Sequence, residues 1–169
     1  MRHWSDQRVA GTAGAELARP HPDGRAGDGP SRVVIDSREA GPGDLFVGIP
    51  GEHVDGGSFA TDVLRAGAWG VLVTADWSDR AVDAGGGAVL VTEAPVPALG
   101  ALARAWRRDL AAHVIAVTGS VGKTSTKDLI TALVAPHRTV ASNPQNWNTE
   151  IGLPLAILAA PLGTQVMVL

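Results

Sequence analysis

Short β-branched runs separated by turn residues set the rhythm of the first half of the chain. Residues 32–36 (Arg32-Val33-Val34-Ile35-Asp36), 45–49 (Leu45-Phe46-Val47-Gly48-Ile49), 69–74 and 88–92 are each bounded by Gly, Pro or Asp, which predicts four strands. Between them the spacing of apolar positions turns helical. Ser5 predicts an N-cap for a short helix carrying Val9 and Ala10 and ending near Gly11 or Gly14. Ser58 predicts a second cap, with Phe59, Val63 and Ala66 on the buried face and Gly67 as the stop. Residues 21–30, rich in Gly, Pro and Asp, read as a loop, and Gly85-Gly86-Gly87 as a flexible turn between two strands. Residues 95–110 hold Leu99, Leu102, Ala103, Trp106 and Leu110 at helical spacing. The opposite face carries Arg104, Arg107 and Arg108, which read as a solvated helix face.

The second half alternates strand and helix more strictly. A strand over 114–118 leads to a helix over 123–134 expected to bury Leu129, Ile130 and Leu133. A strand near 139–141, a polar loop, an apolar helix from about Leu153 and a strand over 165–169 follow. Such alternation implies a parallel sheet. The fold class expected is therefore α/β: a small mixed α/β domain over residues 1–93, then the start of a parallel-sheet domain over residues 94–169. Because the sequence stops inside an apolar strand, the second domain is expected to be incomplete, the whole being a piece of a longer chain. The first domain can close its own core, whereas the second is expected to expose a sheet edge and an apolar face.

Chemistry enters at Thr118-Gly119-Ser120-Val121-Gly122-Lys123-Thr124-Ser125, where a β-branched strand runs into a glycine-rich turn and then a helix. That is the layout of a phosphate-binding loop. Successive backbone N–H groups of such a turn form a concave nest for phosphate oxygens, and the helix start adds further unpaired donors. Gly119 and Gly122 let the backbone approach closely. Lys123 brings a cation to the terminal phosphates, and the Thr124 hydroxyl is suited to Mg²⁺. The chain contains only two lysines, Lys123 and Lys127, against twelve arginines, and one of the two stands at the phosphate position. Lys127, one helical turn on, need not face phosphate. The strict Walker pattern asks for glycine at position 117, which is Val117 here, and this departure disfavours a generic P-loop kinase.

Composition narrows the remaining classes. A net charge of −3 gives no broad basic field, so nucleic-acid binding is not expected. With no cysteine there is neither a disulfide nor a thiolate metal site. The N-terminus lacks an apolar signal core, and residues 153–169 are broken by Pro154, Pro161, Gly163 and Gln165, so no membrane insertion is expected. A soluble, cytoplasmic monomer is the expectation.

Three segments in order resemble the Mur ligases, ATP-dependent amide-bond-forming enzymes of peptidoglycan precursor synthesis. They are Asp36-Ser37-Arg38 with Pro42-Gly43-Asp44-Leu45-Phe46-Val47 and Gly51-Glu52-His53-Val54-Asp55-Gly56; the phosphate loop 118–124; and Asn146-Trp147-Asn148-Thr149-Glu150-Ile151-Gly152-Leu153-Pro154. The family's own form of the loop does not require the upstream glycine. Thr-Gly-Ser in the loop and the Asn-x-Asn…Ile-Gly-x-Pro segment resemble the branch that adds the terminal dipeptide. The resemblance implies that residues 1–93 bind the UDP end of the substrate, with Ser37, Arg38, Glu52, His53 and Val54 in contact with it. It implies ATP at Gly119, Ser120, Val121, Gly122, Lys123, Thr124 and Ser125, with Lys123 catalytic, Mg²⁺ on Thr124, and Asn146 and Asn148 toward substrate. The reaction implied is addition of D-alanyl-D-alanine to UDP-N-acetylmuramoyl-tripeptide through an acyl phosphate. The site for D-alanyl-D-alanine is expected downstream of residue 169, and the present chain alone is expected to be inactive. Two other readings of the residues stay open. One is the branch that adds the third residue; the other is a non-catalytic nucleotide-binding module. The local alternative for Asp36-Ser37-Arg38 is a capped turn in which Arg38 pairs with Asp36 or Asp44. For Asn148 it is a helix cap.

Overall fold

The computed structural model describes residues 1, 3–22, 29–144 and 147–169. The chain divides into two units, Met1–Leu102 and Ala103–Leu169, the division falling within the helix Pro95–Leu110.

The first unit is built on a five-stranded sheet. Helix α1 (Asp6–Ala13) starts where the Ser5 hydroxyl accepts from the Arg8 N–H at 3.2 Å, and ends at Gly14, which takes the left-handed conformation at φ 64°. Strands β1 (Glu16–Arg19), β2 (Arg32–Val34) and β3 (Asp44–Val47) follow. A 3-10 turn (Gly56–Phe59) then leads into α2 (Ala60–Arg65), β4 (Gly70–Val73), α3 (Ala75–Ala84) and β5 (Ala88–Val91). The strand order is β1-β5-β4-β3-β2. Strands β2 to β5 are parallel, with Val33 opposite Leu45, Phe46 opposite Val71 and Leu72 opposite Leu90, while β1 runs antiparallel on β5. The central strands β3 and β4 are buried at every position, as a parallel sheet covered on both faces requires. Asp44 is the buried charge at the start of β3, and it is satisfied. Its carboxylate accepts from Arg32 Nε at 3.1 Å, Arg32 Nη2 at 2.7 Å and the Gly41 N–H at 3.1 Å.

The second unit begins within α4 (Pro95–Leu110) and continues with β6 (His113–Ile115), α5 (Lys123–Val134), β7 (Val140–Ser142), α6 (Gly152–Ala159) and β8 (Val166–Val168). The sheet order is β6-β8-β7, all parallel, with His113 and Val140 both opposite Val166. Trp106 in α4 is buried, and its indole N–H donates to the Ala160 carbonyl at 2.9 Å. Arg104, Arg107 and Arg108 are exposed.

The α/β architecture with a parallel sheet is the one the pattern predicts. Several elements differ. Helix α3 occupies residues for which the pattern gave no element, between the strand over 69–74 and the glycine run 85–87, and β1 is an additional edge strand. Asp55, not Ser58, caps the turn before α2, accepting from the Gly57 N–H at 2.8 Å. Phe59 is consequently outside the α2 core, which Ala60, Val63 and Leu64 form. In α5 the expected buried face is reversed at two positions. Leu129 and Leu133 are 61% and 65% exposed, Ile130 is half-buried, and Lys127 is buried.

Candidate functional site

A parallel sheet puts the carboxyl ends of its strands at one edge, where loops that follow them meet. In the second unit two such loops converge, the one after β6 and the one after β7. The first carries the phosphate-loop motif. Gly119 and Gly122 have φ of 145° and 77°, backbone that side-chain-bearing residues rarely adopt, so these glycines are required by the path of the loop. Gly122 stands at the N-cap of α5 without any side-chain cap, leaving the first-turn N–H groups open to an anion. Ser120, Val121, Thr124 and Ser125 are exposed around this turn, Val121 at 90%. Lys123 opens the helix and folds back, its Nζ donating to the Gly119 carbonyl. Among the described residues, the Thr124 hydroxyl has no hydrogen-bond partner. An exposed hydroxyl beside a phosphate nest suits a hard cation that keeps several waters, whereas no cluster of three His, Cys, Asp or Glu exists among the described residues.

The second loop closes the other side. Val117, Lys123, Thr124, Lys127, Asn143, Pro144, Asn148 and Leu169 together line one recess at the carboxyl edge of the sheet. Asn148 therefore does stand with the phosphate loop. It does not cap α6, whose N-cap is Ile151: the Gly152 N–H donates to the Thr149 hydroxyl at 2.9 Å, while Asn148 Oδ1 accepts from Asn143 Nδ2 at 2.9 Å. Asn146 lies outside the described residues. Lys127 and Asn143 are recess residues that the sequence reading did not select. Lys127 sits four residues after Lys123 and thus on the same helix face, which was the available signal.

The first unit presents a separate depression of about 540 Å³, lined by Ile35, Asp36, Ser37, Arg38, Val54, Gly56 and Phe59. That lies within the usual range of small-molecule sites, about 300–1,000 Å³. Ser37, Arg38 and Val54 meet there, and Phe59 joins them as a part-exposed ring. Glu52 and His53 are exposed on the adjoining loop, outside the lining. That loop is pinned at its base by the Pro50–Asp55 bridge and by Trp77 Nε1, which donates to Asp55 Oδ2 at 2.9 Å. Arg38 is engaged locally: its Nη2 lies 2.5 Å from Asp36 Oδ2, its Nε 2.9 Å from Oδ1, and its backbone N–H 3.0 Å from Oδ1. These bonds, the side-chain ones first, hold the Asp36 carboxyl well below the ordinary range, at about 2. Among the described residues no helix is long and apolar enough to cross a membrane.

Comparison with known proteins gives the following. The profile described as Mur ligase family, catalytic domain, matches residues 31–107, and that described as Mur ligase middle domain matches residues 117–169. UDP-N-acetylmuramoyl-tripeptide–D-alanyl-D-alanine ligase of Bacillus subtilis is 40% identical over 139 residues, 81% of this chain and 29% of that protein. The crystal structure of MurF from Acinetobacter baumannii superposes with a TM-score of 0.79 at 27% identity, over 98% of this chain and 35% of the other. MurF of Thermotoga maritima, solved in complex with ADP, gives a TM-score of 0.68 at 37% identity, over 81% of this chain and 31% of the other. The chain thus spans about a third of the length of these relatives.

Proposed function

This chain belongs to the Mur ligase family, and from that premise we propose that it carries the nucleotide-binding and UDP-binding parts of an ATP-dependent ligase joining D-alanyl-D-alanine to UDP-N-acetylmuramoyl-tripeptide. The observation that carries this reading is the convergence of the phosphate loop, Lys123, Thr124 and Asn148 on one recess at the carboxyl edge of a parallel sheet. Backbone N–H groups of residues 119–125 hold the phosphates. Lys123 would exchange the Gly119 carbonyl for a terminal phosphate oxygen, and Thr124 would supply one oxygen ligand to Mg²⁺, whose charge would offset that of the phosphates. The substrate carboxylate would take the terminal phosphoryl group of ATP, with ADP as the leaving group. The amine of D-alanyl-D-alanine displaces that phosphate as the amide forms. The protein's share in such transfers is positioning and charge stabilisation. Residues 1–93 act as the UDP-substrate domain, Ser37, Arg38 and Val54 lining its depression with Glu52 and His53 on the loop beside it. The protein acts as a cytoplasmic monomer. Turnover requires segments that the relatives carry beyond the matched third.

Calorimetric titration with ADP and Mg²⁺ tests the nucleotide site. Removing a charged donor to phosphate costs about 2 kcal/mol, so Lys123→Ala is expected to weaken ADP binding roughly 30-fold. In a chain extended to the length of its relatives, the same substitution is expected to lower turnover on the order of a hundredfold. Equal ADP affinity in Lys123→Ala and the parent would falsify the assignment of this loop.

A further inference from the structure

Lys127 is 8% exposed and Asn143 3%, both on the wall of the phosphate-loop recess. The Lys127 ammonium donates to the backbone carbonyl of Asn143 and, at 3.2 Å, to its side-chain oxygen Oδ1. Asn143 Nδ2 in turn donates to Asn148 Oδ1 at 2.9 Å and reaches the Trp147 carbonyl at 3.5 Å. No carboxylate among the described residues forms an ion pair with Lys127. A lysine costs free energy to bury, and two leucines of the same helix lie exposed, so packing alone does not account for its placement.

The order of donors and acceptors supplies an account. An ammonium carries three donors and no acceptor, whereas an asparagine amide has one end of each kind and can be turned over. Facing Lys127, Asn143 must point its oxygen inward, and its NH₂ group is then directed at Asn148. Asn148 must answer with its own oxygen, which leaves its NH₂ donors as the end without a partner among the described residues. We propose that Lys127 is a positioning residue that sets the polarity of this relay, so that Asn148 presents N–H donors, and not a carbonyl oxygen, to the phosphate oxygens of the nucleotide bound beside Lys123 and Thr124. The nucleotide half of this inference rests on the function proposed above; the relay itself does not. A neutral residue at position 127 frees Asn143 to turn over, and a turned Asn148 sets an oxygen against an anion.

The test uses the whole 169-residue chain with Lys127→Met, Lys127→Arg, Asn148→Asp and the Lys127→Met/Asn148→Asp double variant, each confirmed folded by circular dichroism. Without nucleotide, the side-chain NH₂ protons of Asn143 are expected to exchange slowly with water in the parent and Lys127→Arg, and at least tenfold faster in Lys127→Met. With ADP and Mg²⁺, Lys127→Met and Asn148→Asp are each expected to weaken binding about tenfold. The double variant is expected to be no weaker than the worse single one, as for residues acting in one network. Lys127→Arg, which keeps the donors, is expected to stay within threefold of the parent. Additive losses in the double variant, or unchanged Asn143 exchange in Lys127→Met, overturn the relay. If the parent fails to bind ADP, the proposed nucleotide site falls, and the exchange measurement still decides whether Lys127 orders the two asparagines.

Discussion

Asp36 and Arg38 show how one residue pair constrains a binding surface. The carboxylate of Asp36 accepts from the Arg38 side chain and backbone at once, and this closes a tight local turn at the rim of the first unit's depression. Because these bonds favour the ionised form, the Asp36 carboxyl titrates at about 2 instead of 3.8. A depressed carboxyl stabilises the fold above its unfolded value, and that contribution is lost as the pH falls from about 3.8 through about 2. Carbon-13 NMR of the Asp36 carboxyl is expected to give a midpoint near 2, moving back into the ordinary carboxylate range in Arg38→Ala. A midpoint near 4 in the parent would show that the pair does not persist in solution. The stability of Arg38→Ala is expected to differ little from that of the parent, since exposed ion pairs contribute little. The sequence offered two readings of Asp36-Ser37-Arg38, substrate contact or capped turn, and could not separate them. An acid two residues before an arginine satisfies both, and the spacing alone does not say which partner is nearer.

At the scale of elements, strands were legible and their connections less so. β-branched runs bounded by turn residues marked β2 to β5 because their period and composition agree. Helix α3 escaped although it is amphipathic, with Trp77, Ala81, Val82 and Ala84 packed inward: the strands and the glycine run that flank it were assigned, and residues 75–84 received no assignment. Parallel pairing of β4 with β5 nevertheless demands a crossover of a dozen residues or so, which three glycines cannot supply. Strand β1 is four residues of alternating exposure at an edge, too short for its period to stand out. In α5 the apolar spacing pointed at Leu129 and Leu133, while the face that packs is the one bearing Lys127. The place of the glycine-rich turn between β6 and α5 was legible, since its residues are contiguous in sequence; the recess wall from Asn143 was not, since it arrives from another strand. Packing of α3 against the 3-10 turn gives a sharp test. A Cβ on Gly57 would come within 2.2 Å of Trp77 Cδ1, so Gly57→Ala must displace the indole and break its bond to Asp55. Overpacking of this kind costs about 1–3 kcal/mol. Urea denaturation is expected to show a loss of that size, together with altered tryptophan emission. A variant as stable as the parent would mean that this contact is not tight.

For the molecule as a whole, the two units differ in how much of their apolar surface is covered. In the first, three central strands are almost wholly buried, and Leu45, Phe46, Val71, Leu72 and Leu90 are inaccessible to solvent. In the second, the sheet has three short strands, and Val114, Leu129, Leu133 and Leu162 are exposed. Burial of apolar area is the dominant favourable term in folding, so the first unit is expected to be the more stable of the two. Native-state hydrogen exchange reads this directly, because each amide reports the free energy of the opening that exposes it. Amides of β3, β4 and β5 are expected to exchange at least tenfold more slowly than those of β6, β7 and β8. Nucleotide then separates the units further. A ligand that binds only the folded form stabilises by about 2.7 kcal/mol at a hundred times its dissociation constant. With ADP and Mg²⁺ at that level, exchange in β6 to β8 is expected to slow about a hundredfold, while β3 to β5 stay as they were, because the phosphate loop belongs to the second unit alone. A slowing shared equally by all six strands would mean that the chain opens as one cooperative body, and the division within α4 would then describe geometry without thermodynamic independence.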